Sequence, residues 1–208
     1  MFGLKSKKLP DCDELFVKYL SPWYFDDEKP TGTRPDMYVI AGYEGQPLDL
    51  DSIQYLNDEF LSQTKRQIEK ITDAALQDYK EIIISDKLDF NVLGAVDKFY
   101  DRKKIKEIIA NSDPTDYSNQ YLVTVCEFGA TIGQLFKGFE GYDWLYSHPY
   151  FHSIIVHKKT GLAITVFDWA VKKFSEYGVE DGFVAKIHAA AEAVEKHRAE
   201  FYGTKKNT

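Results

Sequence analysis

Apolar residues recur every three or four positions over most of this chain, the period of helices with one buried face. Leu15, Phe16, Tyr19 and Leu20 predict a short helix from Asp13 that Ser21-Pro22 ends. A loop by composition runs to Pro35, then Met37–Ala41 is short and β-prone, and Gly42–Pro47 returns to turn chemistry. Ile53, Leu56, Phe60, Ile68, Ile71, Ala75 and Tyr79 predict one long amphipathic helix over Ser52–Ile83. Asp51 with Gln54 three residues on spells a capping box at its start. At 1.5 Å per residue it would run on the order of 45 Å. Its seam either packs along the domain or is offered to a homodimer through residues 52–83. Lys87–Ala110 reads as one or two further helices, with Leu93, Val96, Ile105 and Ile108 on the apolar face and Asn111–Pro114 as the stop.

The stretch from Tyr117 to Gly178 is the most decided part of the chain. A central helix starts at Asp116 or Ser118 and ends at Gly138. Leu122, Val125, Phe128, Ile132, Leu135 and Phe136 supply its large apolar groups. Cys126, Gly129, Ala130 and Gly133 form a second stripe of small residues. Glycine in a helix costs about 1 kcal/mol relative to alanine, so two of them four apart predict a close approach by another element. Three strands follow by alternation: Tyr142–Tyr146, Phe151–His157 and Leu162–Phe167, with Lys158–Gly161 as the turn between the last two. Asp168 is the expected N-cap of a helix over Trp169–Tyr177, and Gly178 its C′ residue. Glu180 or Asp181 then caps a helix reaching about Tyr202, with Val184, Ile187, Ala191 and Val194 inward.

Helices, a compact antiparallel sheet and further helices in that order predict an α+β fold. Residues 1–50 read as an irregular arm and 51–208 as a single domain whose core is the helix–hairpin–helix unit of 117–202. No internal repeat is present.

Composition changes this picture in one respect. Of 208 residues, 15% are aromatic, with 14 Tyr and 14 Phe, so the core or a surface is rich in rings. The net charge of -7 disfavours a nucleic-acid binder, because phosphate contacts need excess Lys and Arg. Lys98, Arg102, Lys103, Lys104 and Lys106 are the one basic concentration, and they read as a solvated helix face. The first residues carry charge with no apolar run after them, and no apolar stretch approaches the ~20 residues that cross a bilayer, so a cytoplasmic location is expected. Two cysteines, Cys12 and Cys126, indicate no disulfide scaffold.

Candidate chemistry is sparse. His148, His152 and His157 lie within ten residues and would suit a zinc ion if they converged. On one strand His152 and His157 point to opposite faces, however, so polar or ring-packed histidines are the expectation, with no metal and no cofactor. Cys126 sits on the small stripe and reads as a buried thiol. Glu127, mid-helix, is either an acid of raised pKa in a cleft or a partner of a neighbouring polar group. The rings of Trp144, Tyr146, Tyr150 and Trp169, with His152 and His157, form the candidate binding set. They lie outward unless the N-terminal helices cover the second face of the sheet.

Phe128-Gly-Ala-Thr-Ile-Gly-Gln-Leu-Phe136, Trp144, Pro149–Ser153, His157–Gly161 and Val166-Phe-Asp-Trp-Ala-Val-Lys-Lys173 resemble a group of uncharacterised bacterial proteins over roughly residues 117–195. That pattern has a small-residue helix, a tryptophan, a hairpin and a Pro-Phe-x-x-Val-type helix start. This chain departs from it with Gln134 in place of an acid and Val166 in place of the proline. The resemblance implies bacterial origin and a compact α+β domain, and it carries over no catalytic residue. The expected function is a non-enzymatic protein-binding module, immunity-like by analogy, that holds an unidentified protein partner. The alternative is a small hydrolase or metal-dependent enzyme using Glu127 and the three histidines.

Overall fold

The computed structural model describes residues 8–25, 27–80 and 90–202. Among them the chain forms seven α-helices and one four-stranded antiparallel sheet, the α+β architecture that the order of patterns predicts. Helix α1 is Cys12–Tyr19, opened by a capping box in which Asp11 and Glu14 each bond the other's backbone. Strand β1 is Met37–Val39. Helix α2 runs Asp58–Lys80, α3 Phe90–Phe99 and α4 Arg102–Ala110. The central helix α5 is Gln120–Lys137, capped by the Asn119 side chain on the Leu122 amide. Strands β2 (Tyr142–Leu145), β3 (Ile154–His157) and β4 (Leu162–Ile164) follow, then α6 (Val166–Lys173) and α7 (Phe183–Tyr202). None of the described helices is long and apolar enough to cross a membrane.

Helix α5 is the axis of the molecule. Fourteen of its residues are buried, because α2, α4, α6 and the sheet close around it. The small stripe has the predicted consequence. A Cβ on Gly129 would stand 3.0 Å from the Cα of Phe167, so the glycine is what lets α6 lie backbone-close on α5. At Gly133 the neighbour is a side chain instead: a Cβ would fall 2.1 Å from the Trp144 indole.

The sheet has four strands, in the order β1-β4-β3-β2. The fourth is β1, whose Met37, Tyr38 and Val39 pair with Ile164, Ala163 and Leu162. Alternation sorts the faces. Ile155 and Ile164 join the main core with α5, while Ile154, Val156 and Ala163 form a second, smaller cluster. That second face is neither left outward nor covered by helices. Ile40, Leu48 and Leu50, from the irregular 40–50 segment, close it.

Several expected boundaries move, the strands among them: Phe151–His157 shortens to Ile154–His157 and Leu162–Phe167 to Leu162–Ile164. The long helix begins at Asp58, with the Asn57 side chain accepting from the Phe60 amide, and not at Ser52. The proposed Asp51–Gln54 box is replaced by turns on Asp49, which accepts from the Asp51 amide and the Ser52 hydroxyl. Residues 81–83 of that helix, and 87–89 of the next, lie outside the described residues. The α2 seam faces α5 and buries Ile68, Ala75 and Tyr79, so this part of the stripe packs along the domain, while Phe60 at its start stays exposed. Finally, α6 starts at Val166 and ends at Lys173, with Phe174 as its C-cap, which leaves Asp168 inside its first turn and Gly178 beyond its end. On α7 the inward residues are Ile187, Ala190 and Val194, with Ala191 turned outward.

Candidate functional site

Helix α6 carries a stripe of polar tips, Thr165, Asp168, Trp169 and Lys172, at spacings of three and four. All of them reach the segment 34–36. The Thr165 hydroxyl and the Trp169 indole donate to the carbonyls of Pro35 and Asp36. Lys172 Nζ donates to the Arg34 carbonyl and to the Asp36 carboxylate. Asp168 accepts three bonds from Arg34: from its amide at 2.8 Å, its Nε at 3.0 Å and its second guanidinium nitrogen at 2.7 Å. The remaining guanidinium nitrogen donates to the His152 carbonyl at 2.9 Å. The arm is therefore laced to α6 residue by residue, and β1 follows directly into the sheet.

The same network accounts for His152. It sits in a short 3₁₀ turn, Tyr150–His152, not on a strand, so alternation along β3 does not govern it. Its Nδ1 meets the Tyr24 hydroxyl at 2.9 Å. Burial, and then the Arg34 charge, push it down to about 3, so the ring is neutral in ordinary buffers. His157 is buried against Tyr142, with its Nδ1 2.8 Å from the Thr160 hydroxyl. His148 lies between the rings of Phe25 and Phe60. The three histidines thus occupy three separate environments and do not form a ligand set. Among the described residues, the one carboxylate–thiol grouping tight enough for a cation is Asp11-Cys12-Asp13, and its carboxylates are engaged in capping α1 and in holding Thr33.

The expected ring surface is mostly core. Trp144, Tyr150, Trp169 and His157 are buried, which corrects their placement on an outward contact face. Part of the reason is the small stripe: Gly129 and Gly133 make room for Phe167 and Trp144, Tyr150 packs on Phe167, and Trp169 and His157 pack on Phe136 and Tyr142. Of the candidate set, Tyr146 and His152 stay partly exposed, and Tyr146 is the one that faces a cleft. It stacks on Trp144 in a cleft between α2, α5 and β2, made of two adjoining hollows of about 290 and 210 Å³. Lys65 Nζ stands 5.3 Å above its ring. Burial first, then the Asp143 and Glu69 carboxylates, push its hydroxyl up to about 12.

Two other candidates resolve as chemistry of the interior. Desolvation pushes the Cys126 thiol up to about 12, so it carries no nucleophilic thiolate at neutral pH. Glu127 is buried on α5, and the charged and phenolic groups that face it are Asp78, Tyr79 and Tyr100, none of them a histidine. Desolvation, with Asp78 second, raises it to about 7.

A different ring group is exposed. Phe25 is 56% accessible, Tyr55 67% and Phe60 41%, and they surround the turn at Ser147-His148. His148 lies 5.4 Å from both phenyl rings, and the Tyr55 hydroxyl bonds the Ser147 hydroxyl. Nearby, Trp23 meets Tyr117 edge-on at 4.8 Å. Comparison with family models, with curated proteins and with solved structures gives no match. Periodicity misassigned Phe60 to a buried seam and passed over Phe25 and Tyr55. The usable signal was their setting, each beside turn residues and carboxylates and none opposite a small residue.

Proposed function

We propose that this chain is a non-enzymatic protein-binding module, and that its contact face is the ring patch around His148. One observation supports this reading: Phe25 and Phe60, exposed and from two separate segments, converge on one half-buried imidazole, and the exposed Tyr55 bonds Ser147 beside it. Exposed rings scattered singly are ordinary, but convergent ones bring an apolar area to solvent that a partner can desolvate. Tyr and Phe suit that task, since they add large contact area with few rotors to freeze. An immunity-like role, in which the patch occludes a partner's working surface, is one form such binding takes.

A photoreactive phenylalanine analogue placed at Phe25 or Phe60 tests the reading in the cells that express the chain. We expect one dominant protein adduct from both positions, and none from the same probe at Val17 or Val123, which are exposed elsewhere. Adducts no more frequent from the patch than from those two controls would remove the proposal.

A further inference from the structure

Charge around the patch is predominantly acidic. From Pro35 to Thr64 the chain holds six carboxylates and no lysine or arginine, and apart from Asp36, which is paired with Lys172, they are open to other cations. Asp58 and Glu59 stand exposed directly before Phe60, Asp49 and Asp51 before Tyr55, and Asp27 and Glu28 after Phe25, with Lys29 the one exposed cation next to them in these stretches. The lysines and arginine of α2, Lys65, Arg66 and Lys70, begin almost two turns beyond Asp58. Rings at the centre with carboxylates at the border form a surface of defined complementarity. The ring faces attract cations through their quadrupoles, and the carboxylates add Coulomb attraction and hydrogen-bond acceptors. The protein supplies its own instance next door, where Lys65 stands over the Tyr146 ring.

Resting on the reading of this patch as a protein-contact face, we infer that its partner presents a basic segment, arginine-rich or lysine-rich, whose cationic side chains lie over Phe25, Tyr55 and Phe60. Arginine fits better, because its planar guanidinium stacks on a ring while its edge donors reach Asp58 or Glu59. Such a contact has a fast, salt-sensitive association step and a specificity set by the rings.

The probe is an arginine octapeptide, titrated into the ¹⁵N-labelled chain at low and physiological salt, beside a glutamate octapeptide. We expect saturable shifts confined to residues near 25, 55–60 and 147–148. Binding should weaken about three- to tenfold in Asp58→Asn/Glu59→Gln and at least as much in Phe25→Ala/Phe60→Ala. Glu107→Gln/Glu192→Gln, with the same change in net charge on exposed helix faces elsewhere, should leave it unchanged. Equal weakening in that control, shifts spread over the acidic surface, or no saturation would overturn the inference. Preference for the glutamate peptide, or patch-to-patch association of two copies, would overturn it as well. Its failure is separable from that of the binding reading: photo-adducts at Phe25 and Phe60 that map to a non-basic surface sink the inference and leave the module standing.

Discussion

Two ring groups of similar composition meet opposite fates in this molecule. Trp144, Tyr150, Phe167 and Trp169 are sealed into the core, whereas Phe25, Tyr55 and Phe60 stand in solvent around His148. The difference lies in what each group faces. Phe167 and Trp144 lie against Gly129 and Gly133, where α5 has no side chain to hold them off, Tyr150 packs on Phe167, and the Trp169 N–H finds the Asp36 carbonyl. The exposed rings come from turn-rich segments bordered by carboxylates, and a carboxylate is poorly buried without a paired cation. A ring is therefore core or contact surface according to its neighbours, not its own hydrophobicity.

Breaking the buried side should cost most. Asp168→Ala leaves the Arg34 guanidinium buried without its carboxylate and releases the 34–36 clamp, so we expect a loss of about 3–5 kcal/mol in urea unfolding. If the loss is under about 1 kcal/mol, the clamp does not hold the arm. Gly133→Ala places a methyl inside the Trp144 ring system, and about 3 kcal/mol should go as the indole is forced off α5. Trp fluorescence of the folded variant should shift to the red.

Glu127→Gln probes the interior from the opposite direction. A carboxyl raised to about 7 when folded disfavours the native state once it ionises. Its cost is absent below the unfolded value near 4.5, grows as pH rises through the window from 4.5 to 7, and is complete above it. Gln removes that slope, so the variant should be more stable than the parent by about 1–2 kcal/mol at pH 8, allowing for partial solvent screening, and equal to it at pH 4. Unfolding midpoints at the two pH values decide it. The exposed group should respond least: Phe25→Ala and Phe60→Ala should each move stability by less than about 1 kcal/mol while abolishing the photo-adduct. A large destabilisation would make those rings structural and dissolve the contrast.

Much of the fold was legible because periodicity reports burial directly. The α5 pattern, its glycines and the β3–β4 hairpin follow from spacing and turn chemistry alone. The site was less so. Thr165, Asp168, Trp169 and Lys172 do sit at helical spacing, but a polar stripe at that spacing usually means a solvated face. Nothing local says that the backbone of 34–36 will lie on it. Asp168 reads as a helix cap for the same reason, since cap and buried ion-pair partner share one residue type.

By itself, then, the sequence determined the helical and extended segments, the close approach at α5 and the burial of Cys126, all of which depend on neighbours a few residues away. Tertiary structure alone decided three things: that β1 completes the sheet, that the 40–50 segment covers its second face, and which rings remain outside. Each depends on contacts between segments about 90 to 135 residues apart. Chain periodicity carries no information at that range, because the arm gains its order only by docking on a core that the rest of the chain has built.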